Sequence, residues 1–100
     1  MNNGIDPRGL LNAIRKLLPG STLAIVSETP WYSLTFAGMR IGVLVTLSPP
    51  DSHVADRFAS ELPDHEFSLP GLLVADISAT LEATDDATNR LVIDALLLQD

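Results

Sequence analysis

From residue 72 to residue 82 the chain alternates. Leu73, Ala75, Ile77, Ala79 and Leu81 fall on one side of an extended backbone. Asp76, Ser78, Thr80 and Glu82 fall on the other, with Leu72 and Val74 ahead of them. Successive side chains of a strand point to opposite faces, so a period of two over this length predicts a long strand with one buried face. Its backbone N–H and C=O groups need a partner strand. The tail supplies one: Leu91, Ile93, Ala95 and Leu97 repeat the same period after the polar stretch 84–89. Wound as a helix, the tail has almost no polar side, because only Arg90, Asp94 and Gln99 interrupt it. A helical final element stands as the alternative, since short apolar runs fit either form. As a strand, setting Leu81 opposite Leu91 places Ile77 opposite Ala95 and Glu82 opposite Arg90. Opposed charges across a strand pair stabilise by a few tenths of a kcal/mol.

The rest of the chain reads as two helices and three short strands. Asp6 is a suitable N-cap and Pro7 suits the first helical position. Leu10, Leu11, Ile14, Leu17 and Leu18 then make one apolar stripe, and Pro19-Gly20 stops the helix. Residues 23–26 are short, apolar and partly β-branched, and Glu28-Thr29-Pro30 reads as a turn. Residues 31–37 alternate, with Tyr32, Leu34 and Phe36 on one face. Gly38-Met39 reads as a tight connection in which Gly38 supplies a positive φ. Residues 40–47 alternate again, with Ile41, Val43, Val45 and Leu47 on one side. The second helix is announced by Ser48-Pro49-Pro50-Asp51, a capping-box variant with Ser48 as cap. Val54, Ala55, Phe58, Ala59 and Leu62 make its stripe, and Pro63 ends it.

The resulting expectation is a single α+β domain over residues 1–100. It has two layers: a mainly antiparallel sheet of about five strands, with two helices on one face, in the order α-β-β-β-α-β-β. The outer face of that sheet carries Leu44, Val92, Leu96 and Leu98 among polar residues, a candidate surface for pairing two copies. The element order helix, three strands, helix, strand resembles the core of the restriction-endonuclease-like nucleases. That resemblance implies an Asp on the second strand and an acid-x-Lys on the third to hold Mg²⁺. Residues 32–37 hold no acid, and residues 41–47 hold neither acid nor lysine, so the likeness is one of element order and argues against nuclease activity.

Composition narrows the function classes. Hydrophobic residues make up 46% of the chain and charged ones 19%, which suits a folded domain rather than a disordered one. There is no cysteine, so disulfides, thiolate metal sites and a cysteine nucleophile are excluded. Residues 1–50 hold four bases and two acids, whereas residues 51–100 hold two bases and eleven acids, for a net charge of −7. That excess opposes direct binding to a nucleic-acid backbone. No apolar run reaches membrane-spanning length, and residues 1–7 have neither the basic nor the apolar region of an export signal. A cytoplasmic location is expected. One lysine against five arginines, with abundant Ala and Leu, points to a bacterial, high-GC origin.

Catalytic and metal signatures are sparse. His53 lies early in the second helix and His65 after its end, so that helix alone does not bring them onto one metal. No G-x-S-x-G elbow and no Gly-rich phosphate loop occurs, and no cofactor is expected. Asp76 stands out as a carboxylate in a strongly apolar strand, where burial without partners is costly. Trp31 and Tyr32 carry the amphipathic rings that favour interfaces. The expected function is a non-enzymatic protein-binding or assembly module, pairing with itself through the sheet face or the last strand. Trp31, Tyr32, Arg40, Asp76, Leu96 and Leu98 are its candidate binding residues. The alternatives are a small hydrolase or isomerase using Asp76 with His53 or His65, and an acidic decoy of a nucleic-acid-binding protein.

Overall fold

The computed structural model describes residues 5–99. Its elements are α1 (Arg8–Leu17), β1 (Ser21–Tyr32), β2 (Ala37–Leu47), α2 (Ser52–Glu61), β3 (Leu72–Thr84) and β4 (Asn89–Gln99). A 3-10 turn, Leu62–Asp64, follows α2. The strands make one antiparallel sheet in the order β1-β2-β4-β3. The fold is therefore α+β, with four strands rather than about five and the order α-β-β-α-β-β. The expectation about an export signal falls partly on residues 1–4, which lie outside the described residues, as does Asp100. No helix among the described residues is long and apolar enough to cross a membrane.

The strand count differs because residues 23–26 and 31–37 are not two strands. Ser21–Tyr32 is one strand, carried through Glu28-Thr29-Pro30 without a turn. Its pairing with β2 slips by one residue at Val26, a bulge that absorbs the break in alternation. Pro30 is tolerated because β1 is an edge strand, where a residue without an N–H leaves no central ladder bond unmade. The turn falls at residues 33–36: Ser33 N–H donates to the Phe36 carbonyl at 2.9 Å, and Ser33 Oγ accepts from Phe36 N–H at 3.0 Å. Gly38 lies inside β2 with a negative φ; the positive values belong to Gly20, at +86° after α1, and Gly71, at +73° before β3. With two strands between the helices instead of three, the element order no longer matches that of the nucleases.

The tail is a strand, as its poor helical amphipathicity implies. β4 pairs Leu91 with Leu81 and Ala95 with Ile77, the expected register. Glu82 does not face Arg90: a slip between Leu81 and Ala83 puts Ala83 there instead. A second slip at Ala75 sends Leu73 to the opposite face from Ile77, against the simple alternation. β4 also pairs along its other side with β2, so the last strand is internal and offers no free edge.

The core lies between the helices and one face of the sheet. Leu10, Ile14 and Leu18 of the first stripe and Ala55, Phe58 and Leu62 of the second are buried against Ile41, Val43, Val45, Leu91, Ile93, Ala95 and Leu97. Of the remaining stripe positions, Leu11 and Ala59 are half-buried against this core, and Leu17 and Val54 are exposed. Asp6 Oδ1 accepts from Arg8 N–H at 3.0 Å, just ahead of the first turn of α1. α2 is capped by Asp51, whose Oδ1 accepts from Val54 N–H at 3.1 Å, and not by Ser48. The two prolines thus precede the helix instead of forming its first turn.

Asn89, the first residue of β4, is fully buried. Its Oδ1 accepts from Asp51 N–H at 2.6 Å, and its Nδ2 donates to Thr84 Oγ1 at 3.0 Å and to Ser52 Oγ at 3.4 Å. One amide therefore ties the start of α2, the end of β3 and the start of β4 together. Replacing Asn89 with Ala leaves the Asp51 N–H without its acceptor. A loss of about 2 kcal/mol is expected in urea unfolding; a loss under about 0.5 kcal/mol removes this node from the account.

Two carboxylates contribute to the acid limb of stability. Asp6 is held below its ordinary value of 3.8 by the hydrogen-bonded Arg8 guanidinium and then by the Arg8 N–H. Asp85 is lowered by the N–H groups of Ala87 and Thr88, each 2.8 Å from its Oδ1. A lowered folded value means stability that is present above the unfolded value and lost as pH falls through the folded one. Urea midpoints should therefore hold steady above about pH 5 and decline below about pH 4. Asp85→Asn keeps an acceptor oxygen but takes up no proton, so its acid decline should be shallower. An identical decline excludes Asp85 as a contributor.

Candidate functional site

The face of the sheet away from the helices is uncovered. Register assigns its residues in rows across the strands β1-β2-β4-β3. One row reads Trp31, Gly38, Leu98, Leu73, and the next reads Thr29, Arg40, Leu96, Asp76. Beyond them come Ser27, Gly42, Asp94, Ser78 and then Leu44, Val92, Thr80. Five of the six residues picked from the sequence (Trp31, Arg40, Asp76, Leu96 and Leu98) thus meet on two adjacent rows. Tyr32 does not join them. It pairs with Ala37, on the helix side of the sheet at the far end of the β1–β2 hairpin, and is 65% exposed.

The apolar centre of this face is already largely shielded within one chain. Leu96 and Leu98 are buried, Trp31, Leu44 and Val92 are half-buried, and Leu73 is exposed. Gly38 is the reason Leu98 fits. A Cβ at residue 38 would stand 2.5 Å from the Leu97 carbonyl oxygen and 2.8 Å from Leu98 Cδ2. Leu73 escaped the sequence reading because its side was inverted by the bulge at Ala75.

Register puts four charged residues on the face, Arg40 and Arg90 against Asp76 and Asp94, with Glu82 at the bulge between Leu81 and Ala83 outside the register. Among the described residues the ion pairs are Arg8–Asp6 and an exposed, loose Arg57–Glu61 contact at 3.8 Å. Arg40 and Asp76 therefore stand on either side of Leu96 without a partner, two strand spacings or about 10 Å apart.

A second feature lies on the opposite layer. A cleft of about 240 Å³ opens between the end of α1 and the length of α2. Leu17, Leu18, Phe58 and Leu62 give it apolar walls, and His53, Arg57, Glu61 and His65 line it as well. The first three of these polar residues follow at i, i+4 and i+8 on α2, one row along the helix. That spacing was readable in the sequence, and it is the signal that joins His53 to His65, treated there as separate. The His65 ring meets Phe67 edge-on, with centroids 4.6 Å apart. Asp76 is on the other side of the sheet from both histidines, so the carboxylate and imidazoles share no cleft. Among the described residues no group of three or more His, Asp or Glu side chains is placed to hold a metal ion.

Compared with protein-family models, with curated proteins and with solved structures, the chain gives no match.

The tightness at Gly38 gives a direct test of the packing on the open face. Gly38→Ala meets a backbone carbonyl that cannot swing away, so a loss of about 2 kcal/mol in urea unfolding is expected. Gly42→Ala meets mainly the Ser27 side chain, which can turn aside, and should lose less. The reverse ranking would contradict the geometry at Leu98.

Proposed function

We propose that the protein is a non-enzymatic assembly module that pairs with a second copy through the open face of its sheet. The row Arg40, Leu96, Asp76 carries this reading. Two sheets that pack face to face lie about 10 Å apart with strands roughly aligned. A two-fold axis running along β4 sets Leu96 on Leu96 and Leu98 on Leu98. It also sets β2 of one copy over β3 of the other, so each Arg40 meets the other copy's Asp76, and each Leu73 lies over the row that holds Gly38 and Leu98. An isologous contact of this kind uses one patch twice and closes on itself. Arg40 and Asp76, which have no ion-pair partner within one chain, acquire one in the pair.

Size and charge bound the strength. Three overlapping strands of about ten residues make a footprint of roughly 450 Å² per copy, before side-chain relief is counted. That lies toward the low end of specific interfaces, so a dissociation constant in the micromolar range is expected. The same axis brings Asp94 toward its own copy one row away, a repulsion that further limits affinity.

Sedimentation equilibrium should show a reversible dimer, and a strict monomer at about ten times the expected constant rejects the assembly reading. Arg40→Asp and Asp76→Arg should each weaken pairing about tenfold. The double swap should restore it, and Asp94→Asn should strengthen it. Single swaps without effect, or a double swap that fails to recover, would reject the axis along β4.

A further inference from the structure

We propose that the cleft between α1 and α2 binds an apolar α-amino acid as its free zwitterion. The cleft is remote from the open sheet face, and the inference does not rest on assembly.

The floor and walls point to a hydrocarbon group. Leu18, Phe58 and Leu62 are buried beneath it, while Leu17 and Val54 on its sides are each 39% exposed and remain to be covered. The volume of about 240 Å³ exceeds the roughly 150 Å³ that takes a benzene ring and falls short of the roughly 300 Å³ where drug-sized sites begin. A ligand of about ten heavy atoms fits that interval. Leucine and phenylalanine are of this size.

The rim then decides the head group. Arg57 and Glu61 stand one turn apart on the same row, with His53 beyond the arginine and His65 beyond the glutamate. A carboxylate suits the Arg57 end and an ammonium suits the Glu61 end. The two charges cancel, so the rim favours neither a pure anion nor a pure cation. The −7 of the whole chain opposes an anion further but leaves a net-neutral zwitterion untouched. The Arg57–Glu61 contact is loose, at 3.8 Å between largely exposed side chains, so both groups can turn to a ligand. Arg57 and Glu61 thus hold the two charges of the head group between the flanking histidines.

Amide NMR titration tests it with L-leucine, isocaproate (which lacks the amino group) and isoamylamine (which lacks the carboxylate). Leucine should shift the amides of Leu17, His53, Val54 and His65 saturably and bind at least about fivefold tighter than either analogue. Arg57→Gln should reduce leucine to the level of the amine, and Glu61→Gln to that of the acid. Both side chains are exposed, so neither change threatens the fold. Arg40→Asp, on the other face, should leave the titration unchanged. The proposal is overturned if leucine gives no saturable shift in the cleft at about 20 mM, a level that fills a millimolar site. Equal binding of all three compounds overturns it too.

Discussion

β4 is hydrogen-bonded along both sides, and the remaining elements take their places from it. A strand with neighbours on each flank and helices over one face meets water only through the other face. Its helix-side residues must therefore be apolar, whereas its open side is free to hold polar ones. Residues 91–98 meet that condition, with Asp94 as their one charged residue. The edge strands need not. β1 holds Ser27, Glu28, Thr29 and Pro30 in succession, and β3 holds Asp76, Ser78 and Thr80. Polarity is thus sorted between centre and edge as well as between faces, and the edges carry the bulges and the proline that discourage further pairing.

Between β2 and β4 the molecule divides into two like halves. Each is a helix followed by a hairpin: α1, β1, β2 and then α2, β3, β4. The second strands of the hairpins, β2 and β4, meet in the middle, and the first strands are the edges. Each first strand carries a bulge part-way along, at Val26 and at Ala75. No repeat is visible in the sequence, so the likeness is one of architecture. Its consequence is geometric. Each helix has ten residues, about 15 Å of length, against strands of eleven to thirteen residues that extend about 36–43 Å. Two such short helices cover one face in part and leave the other bare. The cleft lies on the same layer, between the end of α1 and α2.

Most of the fold was legible because its signals were periodic. Both apolar stripes, the buried series Ile41, Val43, Val45, Leu47 and the pairing of Leu81 with Leu91 follow from spacing alone. Failures fell where one residue breaks a period without changing the element. At Val26 and Ala75 a bulge preserves the strand and inverts one side of it, and no residue type announces this. Pro30 reads as a turn unless the strand is known to lie at an edge, which is a fact of topology. Gly38 reads as a turn glycine, but its role is to admit Leu98 beside a neighbouring carbonyl. The residues gathered on the open face were found from their chemistry, whereas Leu73 and Asp94 became part of that group through register.

The charge distribution then weighs differently on whole molecules and on contacts. Two copies at −7 repel over distances of several ångströms in water, and at physiological salt that repulsion is screened beyond about 8 Å. In the proposed pair, Arg40 against Asp76 of a second copy would lie well inside that length and be screened less. In the proposed pair the open face sets Arg40 against Asp76, while Asp94 on the axis strand meets its own copy and opposes the approach. The acidic excess is carried elsewhere, on α2, on the segment with Asp64 and Glu66, and on the turn with Asp85 and Asp86. Under the proposed pairing, net charge opposes contact through the acidic surfaces, and the Arg40–Asp76 row of the sheet face is where complementary groups meet.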